Sequence, residues 1–103
     1  MGASFEGYAL KTVVARLAAK PEECFFWATH GGAELDLLVV RGKQRLGFEF
    51  KRTAAPQVTK SMHVALQDLK LDRIDVIHLG PHTFPLADRI RAVPVQELSS
   101  RLR

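Results

Sequence analysis

Four charged residues on two neighbouring apolar segments carry the chemistry that this sequence predicts. Glu34 and Asp36 alternate on the first segment, Glu49 and Lys51 alternate on the second, and a tight turn at residues 42–43 joins the two segments into a hairpin. Alternate side chains of a strand point to the same face, so equal counting outward from the turn sets Asp36 opposite Glu49 and Glu34 opposite Lys51. Three carboxylates and one ammonium group then share one patch of sheet, where a divalent metal ion can lie beside a phosphodiester.

The acidic side chains of this patch predict a site for a hard cation. Carboxylates held this close repel one another, which raises at least one pKa unless a cation compensates. Mg²⁺ or Mn²⁺, both of which prefer oxygen ligands, would bind Asp36 and Glu49. Lys51 would then orient or help to deprotonate an attacking water, or stabilise charge on the phosphate. The alternative is a cross-strand ladder of salt bridges, in which Lys51 neutralises Glu34 or Glu49 and has no catalytic role.

The apolar residues around the patch predict that both faces of the hairpin are covered near its turn. Leu38 and Val40 continue the face of the charged residues, so that the charge is confined to the end of the hairpin far from the turn. An ordinary solvated face of a sheet stays polar along its length. The opposite face is predicted to be an unbroken apolar surface for the core, made of Leu35, Leu37, Val39, Leu46, Phe48 and Phe50.

The hydrophobic periodicity and the turn signals along the chain predict an α/β fold in one domain, residues 1–103, with a mixed sheet flanked by helices. A strand at residues 24–29 is predicted to be buried, with Phe25, Phe26 and Trp27 in the core. The predicted elements are a helix at residues 4–20, capped by Ser4 and ended by Pro21; strands at 24–29, 34–41 and 45–52; a helix from Pro56 to about Lys70; a strand at 73–79; an extended piece at 90–93; and a helix from about Val95.

The composition is that of a soluble globular protein, with 47% hydrophobic and 25% charged residues. No apolar run approaches the roughly 18–20 residues of a membrane span, and no secretory signal is visible, so no membrane is expected among the partners. The single cysteine, Cys24, cannot form an internal disulfide, and a reduced, cytoplasmic protein is the simple interpretation. A net charge of +4 permits binding to nucleic acid without establishing it.

The spacing of these residues resembles that of a known superfamily. Asp36, the run from Glu49 to Lys51 and the preceding helix with Glu6 resemble the PD-(D/E)xK nucleases, which have the restriction-endonuclease-like fold. The chain looks still more like the domain of unknown function DUF4143, the C-terminal module of a bacterial and archaeal family of AAA-type ATPases. The matching residues are 2–6, Trp27, Thr29, 32–37, 47–51, Pro56 and 79–80.

The resemblance implies a helix–hairpin–strand core around a metal site. It implies that Glu6, Asp36 and Glu49 converge on the ion and that Lys51 completes the site, with Glu34 as a supporting residue. A polar residue on the helix after the third strand often contributes in the superfamily, and the candidates here are Thr59, Lys60 and Ser61.

Two departures from the family patterns bear on function. Leu35 rather than proline precedes Asp36, so the Pro-Asp pair is absent. No Gly-x-x-x-x-Gly-Lys-Ser/Thr loop occurs in the sequence, so the chain is expected to bind no nucleotide by a P-loop. The ATPase of the family is therefore expected to be on another chain or to have been lost.

Three functions follow as hypotheses. The first is Mg²⁺- or Mn²⁺-dependent hydrolysis of DNA phosphodiester bonds. The second is a non-catalytic binding or assembly module related to the DUF4143 ATPases, in which the charges are structural. The third is a metal-independent nucleic-acid binder whose affinity falls steeply with salt. A homodimer is also expected, because the strand at residues 73–79 is predicted to lie near an exposed sheet edge.

Overall fold

A mixed six-stranded sheet with helices on both faces forms the protein, as the sequence predicts for an α/β fold. The structure, a computed structural model, describes residues 4–100. The elements, in chain order, are α1 (Phe5–Leu17), a 3₁₀ turn (Pro21–Glu23), β1 (Cys24–Ala28), β2 (Glu34–Arg41), β3 (Gln44–Phe50), α2 (Lys60–Asp68), β4 (Arg73–His78), β5 (Phe84–Ala87), β6 (Ile90–Pro94) and α3 (Val95–Ser100).

The strand order across the sheet is β1-β2-β3-β4-β6-β5. Successive hairpins make β1, β2 and β3 antiparallel, whereas β3, β4 and β6 run parallel, with α2 as the crossover between β3 and β4. The prediction that residues 73–79 lie near a sheet edge is wrong, because β4 pairs with β3 on one side and β6 on the other. The edges are β1 and β5, so the reason given for a homodimer fails, and the dimer itself stays a prediction.

Each face of the sheet has its own hydrophobic cluster. The α1-face cluster joins α1 and α3 to the sheet, and its buried members are Ala9, Val13, Leu37, Val39, Leu46, Phe48, Phe50, Ile77, Val93 and Val95. The α2-face cluster has the buried members Leu35, Leu38, Met62, Ala65, Leu66, Leu71, Ile74, Val76 and Ile90. The second helix contributes Met62, Ala65 and Leu66 to this second cluster, where all three are buried.

Both long helices are shorter than predicted. Ser4 caps α1 as expected, its hydroxyl oxygen accepting from the Gly7 amide at 3.0 Å. The helix ends at Leu17 because Ala18 turns into the left-handed region (φ 52°), and Pro21 instead begins the 3₁₀ turn. The second helix begins at Lys60 rather than Pro56, because the Thr59 side chain accepts from the amide of Met62 at 3.3 Å and caps it there.

The hairpin register is confirmed for most of its length. Leu37 pairs with Phe48, and the ladder continues in the same register to the turn, where Arg41 pairs with Gln44. The backbone ladder stops at Leu37, and β3 ends at Phe50, one residue before Lys51. The predicted pairing of Glu34 with Lys51 as strand residues is therefore wrong.

A β-bulge interrupts β2 at the charged end of the hairpin. Phe25 pairs with Leu38 and Trp27 pairs with Leu35, so two residues of β2, Asp36 and Leu37, stand opposite the single residue Phe26 of β1. The extra residue turns Leu35 onto the α2 face beside Leu38. The prediction that Leu35 shares a face with Leu37 is wrong for this reason.

The first strand is more exposed than its apolar sequence predicts. Phe25 and Phe26 keep 48% and 68% of their surface exposed, because β1 is an edge strand and no element within residues 4–100 covers these rings. The prediction that both phenylalanines belong to the core is wrong. Trp27 is partly buried and packs against the α2-face cluster. Within residues 4–100, no helix combines the length and the apolar character needed to cross a membrane.

Candidate functional site

A cavity of about 350 Å³ opens at the carboxyl end of β3 and contains most of the residues that the sequence predicts for a site. Its residues come from the start of α1, the turn before β2, the charged ends of the hairpin and the start of α2. Lys60, one of the predicted candidates, does not line the cavity. The lining residues are Glu6, Gly32, Glu34, Asp36, Glu49, Phe50, Lys51, Thr59 and Ser61.

Asp36 and Glu49 are fixed side by side by a reciprocal pair of hydrogen bonds. The amide of Asp36 donates to Oε2 of Glu49 at 3.0 Å, and the amide of Phe50 donates to Oδ2 of Asp36 at 2.9 Å. These bonds lie just beyond the last backbone pair of the β2–β3 ladder, at Leu37 and Phe48. Each carboxylate thus accepts a backbone amide at the point where the β2–β3 ladder has ended.

Glu49 is a buried acid of the cavity with a strongly shifted pKa. It is 7% exposed, and its pKa is raised from 4.5 to about 7. Burial is the main cause, because it removes the carboxylate from water, and the negative charge of Asp36 is the next. The Asp36 amide and the charge of Lys51 oppose the rise in pKa, whereas the charge of Glu34 adds to it.

Lys51 is positioned by its backbone rather than by a strand pair with β2. Its amide donates to the carbonyl oxygen of Ile77 on β4 at 2.9 Å, and the amide of Leu79 donates to the carbonyl of Thr53 at 2.9 Å. The loop that follows β3 is therefore attached to the end of β4. From this loop, Nζ of Lys51 lies 3.8 Å from Oε1 of Glu49, with 41% of the Lys51 side chain exposed.

Two helix starts supply the remaining polar residues of the cavity. Glu6 lies in the first turn of α1. Thr59 and Ser61 lie at the start of α2, where the hydroxyl of Thr59 is already engaged as the helix cap. The structure thus brings Glu6, Thr59 and Ser61 to the same cavity as the hairpin acids, and the catalytic roles implied for them by resemblance stay predictions.

The donor set of the cavity is one of oxygen atoms, which suits Mg²⁺ or Mn²⁺. Mg²⁺ is commonly held through one or two carboxylates together with waters and substrate phosphates, and Asp36 and Glu49 are two such carboxylates. In the part of the chain that the structure describes, residues 4–100, no three or more His, Cys, Asp or Glu side chains are grouped closely enough to hold an ion among them. An ion bound by Asp36 and Glu49 would therefore need water and substrate as its remaining ligands.

Two features of the site were not predicted from the sequence. Gly32, which has a left-handed backbone (φ 96°), lines the cavity from the turn before β2. The bulge at Asp36 changes which side chains share a face, and its sequence signal is faint, consisting of the change from alternation to a continuous apolar run after Asp36.

The fold and the cavity define a mixed α/β domain with two adjoining carboxylates and a lysine at the end of a β-hairpin. Residues 1–98 match the family described as "Domain of unknown function (DUF4143)", and the chain belongs to that family. The resemblance to DUF4143 seen in the sequence is thereby confirmed.

Two curated relatives are similar to the chain. The uncharacterized protein Mb2031c of Mycobacterium bovis and the uncharacterized protein Rv2008c of Mycobacterium tuberculosis are each 43% identical to it over 98 residues. The match covers 95% of this chain but 22% of either relative, so the chain spans about a fifth of their length. No solved structure matches the chain.

Proposed function

We propose that this chain is a metal-dependent nuclease domain of the PD-(D/E)xK type, which hydrolyses DNA phosphodiester bonds with Mg²⁺ or Mn²⁺. The main support for this proposal is that Asp36, Glu49 and Lys51 line the same cavity, with the two carboxylates side by side and Lys51 next to Glu49. The helix that supplies Glu6, the hairpin that supplies Asp36 and Glu49, and the loop after β3 that supplies Lys51 resemble the elements that this superfamily uses.

In this proposal each residue of the cavity has a defined role. Asp36 and Glu49 would hold the ion, and the chemistry that it would supply is polarisation of the phosphate and a lowered pKa of a bound water. Lys51 orients the attacking water and stabilises the charge that develops on the phosphate. Glu6 would bind or orient the ion through water, and Glu34 would support the site electrostatically. The raised pKa of Glu49 supports the proposal, because buried carboxyl groups next to like charges are favoured positions for a cation.

The proposal is tested by titrating Mn²⁺ calorimetrically and by assaying cleavage of single- and double-stranded DNA. Asp36→Asn is the first variant, because the amide retains an oxygen that can accept from Phe50 while the charge is lost. Its matched control is Asp72→Asn, since Oδ2 of Asp72 also accepts a backbone amide, that of Arg45 at 2.8 Å, away from the cavity.

We expect Mn²⁺ to bind to the wild type and to Asp72→Asn but not to Asp36→Asn. Metal-dependent cleavage should fall by at least about 100-fold in Asp36→Asn and in Lys51→Met. For the lysine, the exposed turn residue Lys43 offers the control Lys43→Met. Cleavage that is equal in the wild type, Asp36→Asn and Lys51→Met would show that these residues do not catalyse it.

A second candidate is the non-catalytic binding or assembly module, with an AAA-type ATPase on another chain as its partner. The reciprocal hydrogen bonds of Asp36 and Glu49 favour it, because both carboxylates satisfy backbone amides that the bulge would otherwise leave without acceptors. In this case Mn²⁺ neither binds nor raises the melting temperature, and Asp36→Asn changes stability alone. The third hypothesis, a nucleic-acid binder, would instead be indicated if DNA bound without metal. Its affinity should then fall with salt and be unchanged in Asp36→Asn.

A further inference from the structure

A second cavity, of about 220 Å³, lies on the α1 face of the sheet at the far end of α1 from the carboxylate site. Glu6 of α1 lines the first cavity and Arg16 lines the second, and ten helical residues correspond to a rise of about 15 Å. Apolar residues from α1, β3, β6 and α3 form part of its lining. Its charged residues are three arginines and two acids: Arg16, Arg73, Arg91, Asp75 and Glu97.

Asp75 is buried in this cavity between two arginines. It is 4% exposed, on the central strand β4. Arg91, its register partner on β6, donates from Nε to Oδ1 at 2.9 Å and from Nη2 to Oδ2 at 3.3 Å. Nε of Arg73 lies 3.3 Å from the same Oδ1. Both oxygens of the single carboxylate are thus engaged by Arg91, and the two arginines share one counter-charge.

The guanidinium of Arg73 has donors that its protein partner does not satisfy. Its Nε is buried and has no hydrogen-bond partner within the part of the chain that the structure describes, because the contact with Asp75 has ion-pair distance without hydrogen-bond geometry. A guanidinium carries five N–H donors, and one carboxylate cannot serve those of two arginines. The Arg73 side chain is 39% exposed, so an acceptor supplied from outside the chain can bind its remaining N–H groups.

The charge of the cluster also favours an anion. Arg73 and Arg91 with Asp75 leave one net positive charge, and the Arg91 side chain is 50% exposed, so it can reach a ligand at the mouth of the cavity. Glu97 accepts from the hydroxyl of Thr83 at 2.6 Å, which holds that carboxylate at the α3 side. Arg16 and Glu97 have other interactions, so their charges are not included in this net charge.

We propose that this second cavity binds a phosphate monoester or free phosphate, with the guanidinium groups of Arg73 and Arg91 as its ligands. The planar fork of a guanidinium matches two oxygens of a phosphate, and such charge-assisted pairs are stronger than neutral hydrogen bonds. A free phosphate, a nucleoside monophosphate and the terminal phosphate of a nucleic-acid strand share this chemistry. The proposal is independent of the nuclease assignment, because no residue of the carboxylate cavity takes part in it.

The test is calorimetric titration of the full chain with three probes at constant ionic strength. The probes are inorganic phosphate, adenosine monophosphate and a short single-stranded oligonucleotide with and without a 5′-phosphate. Arg73→Gln is the main variant, because it leaves the pair between Asp75 and Arg91 intact. Lys43→Gln removes the same charge at the exposed hairpin turn and is the control. Arg73→Lys keeps the positive charge but lacks the planar guanidinium group, and it replaces Arg73→Gln as the test variant if Arg73→Gln does not fold.

We expect saturable binding of inorganic phosphate to the wild type and to Lys43→Gln, and at least about tenfold weaker binding to Arg73→Gln. The wild type would bind the 5′-phosphorylated oligonucleotide more tightly than the unphosphorylated one if the end of a strand were the source of the phosphate. This difference in affinity should then disappear in Arg73→Gln or Arg73→Lys. Equal affinities in the wild type and Arg73→Gln, or no phosphate binding up to about 10 mM, would overturn the proposal.

Discussion

At the scale of single residues, Glu49 combines a structural and a titrating role. Its carboxyl accepts the amide of Asp36 at 3.0 Å, where the strand ladder has ended. The same burial and the same neighbour raise its pKa to about 7. The carboxyl therefore exchanges its proton near neutral pH, well above the usual range for a glutamate.

This shift makes stability depend on the ionisation of Glu49. Its pKa is about 7 in the folded protein against 4.5 in the unfolded chain, so the folded state binds more protons between these values. The resulting stabilisation is fully present below pH 4.5 and is lost as pH rises through 7, a change on the order of 3 kcal/mol. We expect Glu49→Gln to lose this component of the pH dependence, as measured by chemical denaturation from pH 5 to 8.

The control for that measurement is Glu22→Gln, which removes an exposed carboxylate of the 3₁₀ turn and leaves the cavity untouched. Wild type and Glu49→Gln should differ most in their free energies of unfolding at high pH, where the buried charge is costly. Parallel pH profiles for these two proteins would contradict the assignment of a raised pKa to Glu49.

The sequence predicted the identities of the cavity residues better than their interactions. Alternation and turn position were enough to bring Asp36, Glu49 and Lys51 to one end of the hairpin. Resemblance added Glu6, which lines the same cavity. The reciprocal backbone bonds could not be predicted, because they lie beyond the end of the β2–β3 ladder, beside a bulge whose sequence signal is faint.

At the scale of elements, some local sequence signals conflict over where helices and strands form, and the structure shows which signal determines the outcome. Pro56 and Thr59 both mark a helix start, and the side-chain cap of Thr59 prevails. The strand β5 was missed because Pro85 argues against a strand interior. Its position explains the exception, since an edge strand such as β5 tolerates a proline.

The loop that carries Lys51 is held by a close approach at Gly80. A Cβ atom on Gly80 would lie 2.7 Å from the carbonyl oxygen of Ala54 and 3.0 Å from Nδ1 of His78. Because one of these neighbours is backbone, it cannot give way without moving the loop. We expect Gly80→Ala to lower the free energy of unfolding by about 1–3 kcal/mol and to reduce any lysine-dependent activity, measured by denaturation and by cleavage assays.

A matched control for the glycine is Gly31→Ala, where the nearest atom to a new Cβ is a side-chain oxygen of Thr29 at 3.8 Å. This variant should be close to the wild type in stability. If Gly80→Ala were as stable as Gly31→Ala, the loop would not be held in the way described.

At the scale of the whole molecule, the two hydrophobic clusters share one sheet. Leu37 and Leu38, adjacent on β2, belong to the α1-face and α2-face clusters respectively. Loss of packing on one face therefore disturbs the strands that support the other. The prediction of one domain over residues 1–103 stays a prediction, and cooperative unfolding is its natural measurement.

We expect Val13→Ala, on the α1 face, and Met62→Ala, on the α2 face, to lower the midpoint of one common transition. The free energy of unfolding should fall by about 1.5–3 kcal/mol in Val13→Ala and by about 2–5 kcal/mol in Met62→Ala, because apolar burial is lost and a cavity is left behind. Trp27, the single tryptophan, packs against the α2-face cluster, so its fluorescence reports on that side. In Val13→Ala, fluorescence and far-UV circular dichroism should shift together; separate midpoints would indicate two units.

The bulge at Asp36 has an evolutionary consequence. Most insertions and deletions within a strand exchange its two faces and ruin the fold. Here, deletion of one residue at position 36 would leave β2 matched one-to-one with β1, with an apolar sequence on both sides. A lineage in which the carboxylate of Asp36 had no function could therefore lose this residue in one deletion event and keep an intact, more regular sheet.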